Sequence, residues 1–224
     1  MALNLSRPAD DDRSKPPLTD AQLLRWMEAQ QGETGFWQDW MKSSDDRGDT
    51  SWLHHVQGYF ELPDHHDFGA ETLVDLGSGP VGLLTRFQAA ERICVDPLPI
   101  DSLDRSLTRI KAPAEETGLK PAIADRVFIY NLLQHVISPE HVLAEALRLL
   151  KPAGTVYLVE QLNLPTDPEH PHSLKLEMFD RWVQREQLRI VKRTTEPDCM
   201  LSSVSKSQPG TGWMVLCLVV QKAE

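Results

Sequence analysis

A chain of 224 residues, 41% of them hydrophobic, can bury one sizeable core but is short for two full domains. The formal net charge of -10, from 33 acidic and 23 basic residues without a long Lys/Arg cluster, argues against nucleic acid, because a phosphate backbone is bound by basic surfaces. No apolar run is long enough to span a bilayer, and no secretory signal opens the chain, so no membrane partner is expected. The three cysteines lack the paired spacing of disulfides, which predicts a cytoplasmic protein.

The N-terminal region has two predicted parts, a flexible tail at residues 1–18 and a helical cap at residues 19–68. The tail contains SRPADDDRSKPP, whose few apolar side chains cannot offset the entropy of ordering. In the cap, Thr19 and Gln22 have the spacing of a capping box. Three apolar stripes then predict two or three amphipathic helices: Leu23, Leu24 and Met27; Phe36, Trp37, Trp40 and Met41; and Leu53, Val56 and Phe60. We expect these helices to cover the core and to form a lid whose Trp37 contacts substrate.

From Glu71 onward, short apolar runs alternate with helical patterns, which is typical of a parallel sheet with crossover helices. A long loop separates the last two runs, so the final strand can return antiparallel to its neighbour. Residues 69–224 therefore form one predicted α/β domain. Its predicted strands are residues 72–76, 93–96, 126–130, 155–160, 188–191 and 213–220.

The clearest predicted helix follows the strand at residues 126–130. Ser138 is a natural N-cap, Pro139 suits the first helical position, and Pro152 with Gly154 ends the helix. A second helix is expected over residues 173–186. These patterns predict a strand, helix, strand crossover that leads into the strand at residues 155–160.

One stretch, Val74-Asp75-Leu76-Gly77-Ser78-Gly79, leads a buried strand through glycines into a predicted helix. Glycines allow a tight turn and a close approach of the backbone to a ligand. With Gly82 the stretch matches the dinucleotide pattern G-x-G-x-x-G, which is a weak signal alone. The carboxylate of Asp75 would repel a diphosphate but attract a cationic amine or sulfonium. Asp96 ends the next strand, where a carboxylate accepts hydrogen bonds from ribose hydroxyls, so the pair points to an adenosine with a positive amino-acid tail.

These residues resemble the class I S-adenosylmethionine-dependent methyltransferases. The glycine turn is similar to the family's first motif, Val95-Asp96 to its second acidic position, and RVFIYN at residues 126–131 to its fourth strand. LRLLKPAG at residues 147–154 is similar to the family's R-x-L-K-P-G-G sequence before the fifth strand. The resemblance implies an α/β, Rossmann-like, mostly parallel seven-stranded sheet with helices on both faces. It also implies S-adenosylmethionine as the cofactor and S-adenosylhomocysteine as the product.

The resemblance further implies a cofactor site at the carboxyl ends of the first four strands. In this role we expect Asp75 at the amino group, Gly77, Ser78 and Gly79 along the methionine part, Asp96 at the ribose hydroxyls, Pro97 and Leu98 at the adenine face, Ala114 and Glu115 at the adenine amino edge, and Asn131 at the methionine part. Val81 stands where the family has a third glycine, which leaves the start of the next helix open.

Histidines are the candidates for acceptor chemistry. His135 lies just beyond the fourth strand, on the ligand side of such a sheet, and imidazole titrates near neutral pH, so it is a candidate base or a packing residue. His170 and His172, in the loop after the fifth strand, are candidate substrate contacts. Adjacent histidines on a helix point about 100° apart and rarely share an ion, so no metal site is expected.

Taken together, the sequence predicts an S-adenosylmethionine-dependent methyltransferase that acts on a small molecule. Two alternatives stay open. A domain that keeps the cofactor pocket could serve as a non-catalytic partner or sensor, and the glycine spacing alone would allow an NAD(P)-dependent oxidoreductase, against which Asp75 and the Lys-Pro-Ala-Gly sequence argue.

Overall fold

The computed structural model describes residues 17–43, 58–98, 104–197 and 213–223, whose strands form one seven-stranded sheet. Most of the predicted tail and nearly all of the loop before the final strand lie outside the described residues. The strands are β1 (Thr72–Leu76), β2 (Glu91–Val95), β3 (Thr108–Ile110), β4 (Ala124–Tyr130), β5 (Leu150–Leu162), β6 (Arg189–Pro197) and β7 (Met214–Gln221). The helices are α1 (Asp20–Ser43), α2 (Pro139–Leu149) and α3 (Leu176–Arg185), with a 3-10 helix at Leu83–Arg86.

The strand order is β3-β2-β1-β4-β5-β7-β6. Strands β1 to β5 pair in parallel, whereas β7 lies between β5 and β6 and is antiparallel to both. The predicted seven-stranded Rossmann-like sheet is therefore confirmed, and the final strand is antiparallel as expected. The prediction of a mostly parallel sheet is wrong, because the insertion of β7 makes the sheet mixed.

The strand order places a ligand crevice at the centre of the sheet. From β1 the chain moves outward to β2 and β3, and then returns to the other side of β1 as β4. At such a reversal the loops after the two central strands diverge, so their carboxyl ends flank an open crevice. The glycine turn after β1 and the loop with Asn131 and His135 after β4 both lie at this edge.

The core has two layers because alternate residues of each strand point to opposite faces of the sheet. On one face, Val74 and Leu76 pack with apolar residues of α2 and α3. On the other face, Leu73 packs with a cluster of aromatic residues, and Trp37 and Trp40 of α1 lie against it. Helices thus cover both faces, and α1, α2 and α3 are the α-helices that lie wholly within the described residues. The β1 to β2 connection, where an α-helix was predicted, carries only the 3-10 helix.

Helix α1 is a single helix of 24 residues that carries the first two predicted stripes, while Leu53 and Val56 of the third stripe lie outside the described residues. Its predicted capping box is confirmed: Thr19 N donates to Gln22 Oε1 (2.9 Å), and Gln22 N donates to Thr19 Oγ1 (3.3 Å). The first apolar stripe does not face the core, since Leu24 is 62% and Met27 56% exposed. The helix instead docks through another face, which carries Ala29, Glu33 and Trp37.

Helix α2 begins as predicted. Ser138 is the N-cap, its side chain accepts from His141 N, and Pro139 occupies the first turn. Within the described ranges, no helix has the length and apolar composition that crossing a membrane requires.

Candidate cofactor and acceptor site

The glycine turn is held by two carboxylates, one at the end of β1 and one just after β2. Asp75, at the end of β1, accepts from the backbone N–H of Leu83 (3.0 Å). Asp96, just after β2, accepts from the N–H of Gly79 (2.7 Å) and from that of Leu98 (2.9 Å). Both carboxylates are buried, at 2% and 5% exposure. The two carboxylates therefore fix the path of the backbone in the turn and also determine the charge of the site.

Two glycines in the turn adopt a backbone conformation that other residues rarely take. Gly77 has φ +71° and Gly79 has φ +57°. A Cβ at Gly77 would lie 2.3 Å from Leu132 Cδ1, and a Cβ at Gly79 would lie 3.3 Å from Trp37 Cζ2. The turn therefore presents bare backbone to side chains from the loop after β4 and from α1.

The charge of the turn suits a cationic ligand. Burial raises the pKa of Asp75 to about 7, with the nearby charge of Asp96 adding to the effect. Burial also raises the pKa of Asp96. Arg109 of β3 lowers both pKa values, while its guanidinium donates to the carbonyl of Gly79 (2.9 Å). Two buried carboxylates with a single nearby arginine fit the ammonium and ribose groups of S-adenosylmethionine, since a bound cation favours the ionised carboxylate.

Binding of S-adenosylmethionine should release a proton near pH 6.5. The ammonium group stabilises ionised Asp75, so its pKa falls from about 7 when the ligand binds. Calorimetric titration in buffers of different ionisation enthalpy measures the number of protons released. Asp75→Asn should abolish this release, and an equal release from that variant would assign the proton to another group.

The residues expected at the adenine do not all face the turn. Leu98 is buried next to Asp96, and Pro97 is half-buried between them. Ala114 packs in the core layer beneath α2. The Glu115 carboxylate accepts from the backbone N–H groups of Ile137 (2.6 Å) and Ser138 (3.1 Å), so it supports the start of α2.

Asn131 lies at the crevice in a left-handed conformation, with φ +46°. Its side chain accepts from Gln134 Nε2 (2.9 Å), and its backbone N–H donates to Val159 (2.9 Å). Ser78 is buried within the turn, and its hydroxyl donates to the carbonyl of Gly79 (3.2 Å). Contact of these two residues with the methionine part of the cofactor stays a prediction.

The candidate acceptor residues converge under α1. His135 Nδ1 lies 3.1 Å from Glu33 Oε1, and the His135 and His170 rings are 4.6 Å apart between centroids. His170 in turn pairs with Asp167 at 2.9 Å. Trp37 lies one helical turn after Glu33 on the same helix. The structure thus brings together three of the predicted residues and adds Glu33, which sequence reasoning missed.

His172 lies apart from this group. Its Nε2 is 2.8 Å from the carbonyl oxygen of Val136, and burial lowers its pKa, which favours a neutral ring that donates to the backbone. It therefore supports the loop that carries His135.

A second residue missed from sequence is Glu160 on β5, which is fully buried. One carboxylate oxygen accepts from the N–H groups of Leu132 (2.9 Å) and Leu133 (3.0 Å), and burial raises its pKa to about 7. An acidic residue at the end of an apolar strand, facing the loop after its neighbour, is the only local signal for this role.

Comparison with known proteins agrees with this geometry. Residues 74–158 match the family model of the methyltransferase domain. No curated protein sequence matches the chain. The fold is similar to that of the cyclase SpnF, at 13% identity and a TM-score of 0.63, over 93% of this chain and 98% of that one.

Two methyltransferases have similar folds. One is 1,6-didemethyltoxoflavin-N1-methyltransferase from Burkholderia thailandensis, solved with S-adenosylhomocysteine, at 12% identity and a TM-score of 0.57 over 94% of this chain and 93% of that one. The other is geranyl diphosphate C-methyltransferase from Streptomyces coelicolor A3(2), at 13% identity and a TM-score of 0.58 over 78% and 79% of the two chains. The fold is shared although the sequences have diverged widely.

Proposed function

We propose that this chain is an S-adenosylmethionine-dependent methyltransferase and that it methylates a small-molecule acceptor at the crevice beneath α1, which the methyltransferase-domain match over residues 74–158 supports. The main observation in support of this proposal is that α1 contacts both sides of the crevice. Trp37 of this helix lies against the glycine turn, and Glu33 meets His135 in the loop after β4. A site covered by one helix of the chain favours a small acceptor over a macromolecule, and the net charge of -10 disfavours nucleic acid.

The residues around the crevice have separable roles in this proposal. S-adenosylmethionine supplies an electrophilic methyl group on a positively charged sulfur. Asp75 and Asp96 hold the cationic and ribose groups, and the bare backbone of Gly77 and Gly79 allows close approach. Because methyl transfer is an in-line displacement, the main contribution of the protein is alignment. His135 is the group placed to accept a proton from the acceptor.

Calorimetric titration tests the cofactor assignment directly. S-adenosylmethionine and S-adenosylhomocysteine should bind, whereas NAD and NADP should not. Release of S-adenosylhomocysteine should then be followed over a panel of phenols, enols, amines and heterocycles. Binding of a nicotinamide nucleotide without response to the sulfonium would contradict the proposal, and cofactor binding without turnover of any acceptor would favour a sensor or partner domain.

His135→Gln should reduce kcat about 10²- to 10⁴-fold for the acceptor that the panel identifies, which is the usual contribution of a general base. The dissociation constant of S-adenosylmethionine should stay within about twofold, because His135 lies outside the glycine turn. Turnover and calorimetry measure the two effects separately.

The matched control is His65→Gln, since His65 precedes β1 at the opposite edge of the sheet and is 63% exposed. This variant should keep full turnover. Unchanged kcat in His135→Gln would make His135 a packing residue.

A further inference from the structure

Two carboxylate–histidine pairs meet beneath α1. Glu33 pairs with His135, and Asp167 pairs with His170, with the two imidazole rings in contact at a centroid distance of 4.6 Å. The members come from α1, the loop after β4 and the loop after β5. Because only Glu33 comes from α1, its pairing with His135 depends on the docking of that helix, whereas the Asp167–His170 pair forms within one loop.

The surroundings of His135 fix the position of its proton. Nδ1 faces two acceptors, Glu33 Oε1 at 3.1 Å and the carbonyl oxygen of Glu169 at 3.1 Å. A nitrogen that faces two acceptors must carry a hydrogen, so in the neutral ring the lone pair is on Nε2. Within the described ranges, no hydrogen bond occupies Nε2. This is the tautomer that a carboxylate imposes on a histidine base.

We propose that Glu33 is a positioning residue that holds His135 as the base for an acceptor whose nucleophilic oxygen or nitrogen carries a proton. The proposal rests on the proposed function and narrows its substrate class to hydroxyl and N–H acceptors. The acceptor's proton moves to Nε2 as its oxygen or nitrogen bonds the methyl carbon, and the electron pair of the broken carbon–sulfur bond stays on sulfur. Acceptors that methylate without losing a proton, such as tertiary amines and thioethers, do not need this arrangement.

The charges around His135 support the pair. Burial lowers the pKa of His135, but the hydrogen bond and charge of Glu33 outweigh it, and Glu160 from β5 adds to the rise. For Glu33, burial raises the pKa, but His135, with His170 and Trp37, lowers it overall. The Asp167 carboxylate contacts His170, and the His170 ring in turn contacts His135. The base acts when neutral, so turnover should increase as the pH rises through the elevated pKa of His135.

Glu33 also joins the two halves of the site. It precedes Trp37 by one turn of α1, and the Trp37 ring lies against Gly79 of the glycine turn. Gly32 permits this docking, because a Cβ there would lie 2.8 Å from Glu169 Cγ. Arg25 fixes the same helix by donating to the carbonyl oxygen of Pro171 (3.0 Å). The same face of α1 therefore positions the histidine base, His135, and covers the glycine turn.

Imidazole NMR of the full chain with S-adenosylhomocysteine tests the proposal without an acceptor. The wild-type His135 ring, assigned by its loss in His135→Gln, should carry its proton on Nδ1 when neutral. Glu33→Gln should lower the pKa of His135 by about one unit, the usual effect of removing an adjacent opposite charge. Glu28→Gln, an exposed glutamate on the same helix, is the matched control and should leave the His135 pKa unchanged.

Once an acceptor is known, the acidic limb of kcat should move to lower pH in Glu33→Gln by the same amount. Glu33→Asp should restore part of the His135 pKa, which a purely structural role would not require. An unchanged pKa and tautomer in Glu33→Gln, with S-adenosylhomocysteine still bound, would overturn this proposal alone. Loss of all cofactor binding by the wild-type chain would overturn the proposed function, and a His135 pKa that still depended on Glu33 would then show a positioned histidine without an assigned methyl acceptor.

Discussion

Replacing Asp96 with alanine should weaken binding of S-adenosylmethionine about 10- to 100-fold, the scale of lost hydrogen bonds to a charged group. Asp96 is the predicted ribose ligand, and each of its oxygens also accepts one backbone N–H of the turn, from Gly79 and Leu98. The alanine variant therefore loses the ligand contact and also loosens the turn. Calorimetry with S-adenosylmethionine and S-adenosylhomocysteine measures the loss, which should be similar for both because they share the ribose.

A second substitution separates the two contributions. Asp96→Asn keeps one acceptor oxygen but no charge, so its affinity should lie between those of the wild type and the alanine variant. Asp180→Asn is the control, because Asp180 pairs with Arg193 of β6, an edge strand far from the turn in the strand order. Unchanged affinity in Asp96→Ala would mean that the ribose is held elsewhere.

Features encoded by local sequence signals could be predicted before the structure. The capping box at Thr19 and the Ser138-Pro139 helix start both formed as expected, because each depends on hydrogen bonds within three residues. Strand β1 matches its predicted bounds, since four of its five residues are buried and the pattern is unambiguous. The glycine turn and its two acidic residues likewise lie within one short segment or at adjacent strand ends.

Features that depend on distant partners could not be predicted in this way. The stripe of Leu23, Leu24 and Met27 has the spacing of a buried face, yet α1 docks through Glu33 and Trp37 instead. The partner of Glu33 is His135, and a pairing across so many residues leaves no trace in local periodicity. The exposure of this apolar stripe and the half-buried position of Glu33 on the same helix are explained only by the surface against which α1 docks.

The helix after the glycine turn was also mispredicted for a structural reason. Gly82 has φ +67°, and a Cβ there would lie 3.3 Å from Cys94 Sγ, so the chain passes close to β2 before any helix begins. The following N–H, that of Leu83, is taken by Asp75, and only four residues of 3-10 helix form. Asp75 therefore acts as a support for this turn as well as the predicted ligand of the amino group.

Because Asp75 is buried, its ionisation should lower the free energy of unfolding, so the stability of the chain should depend on pH. The pKa of Asp75 is about 7 in the folded chain against an ordinary value of 3.8, so the folded state holds its proton more tightly than the unfolded state. Protonated Asp75 therefore makes its full contribution to the free energy of unfolding below pH 4, and this contribution is lost as the pH rises toward 7. Glu160, whose pKa is also about 7, acts in the same direction.

Asp75→Asn should therefore gain stability relative to the wild type by about 2–3 kcal/mol between pH 5 and pH 8, because the amide does not ionise. The amide oxygen can still accept the Leu83 N–H, so the turn is preserved. Urea unfolding across this pH range measures the change, and Glu160→Gln, which removes a second carboxyl with a pKa of about 7, should show a similar trend. The same Asp75 variant should bind S-adenosylmethionine more weakly, since the carboxylate that destabilises the folded chain is the one that holds the cationic amine. A parallel pH dependence in wild type and Asp75→Asn would show that this carboxylate is ionised at low cost, and the explanation of the turn as a site built for a cation would then fail.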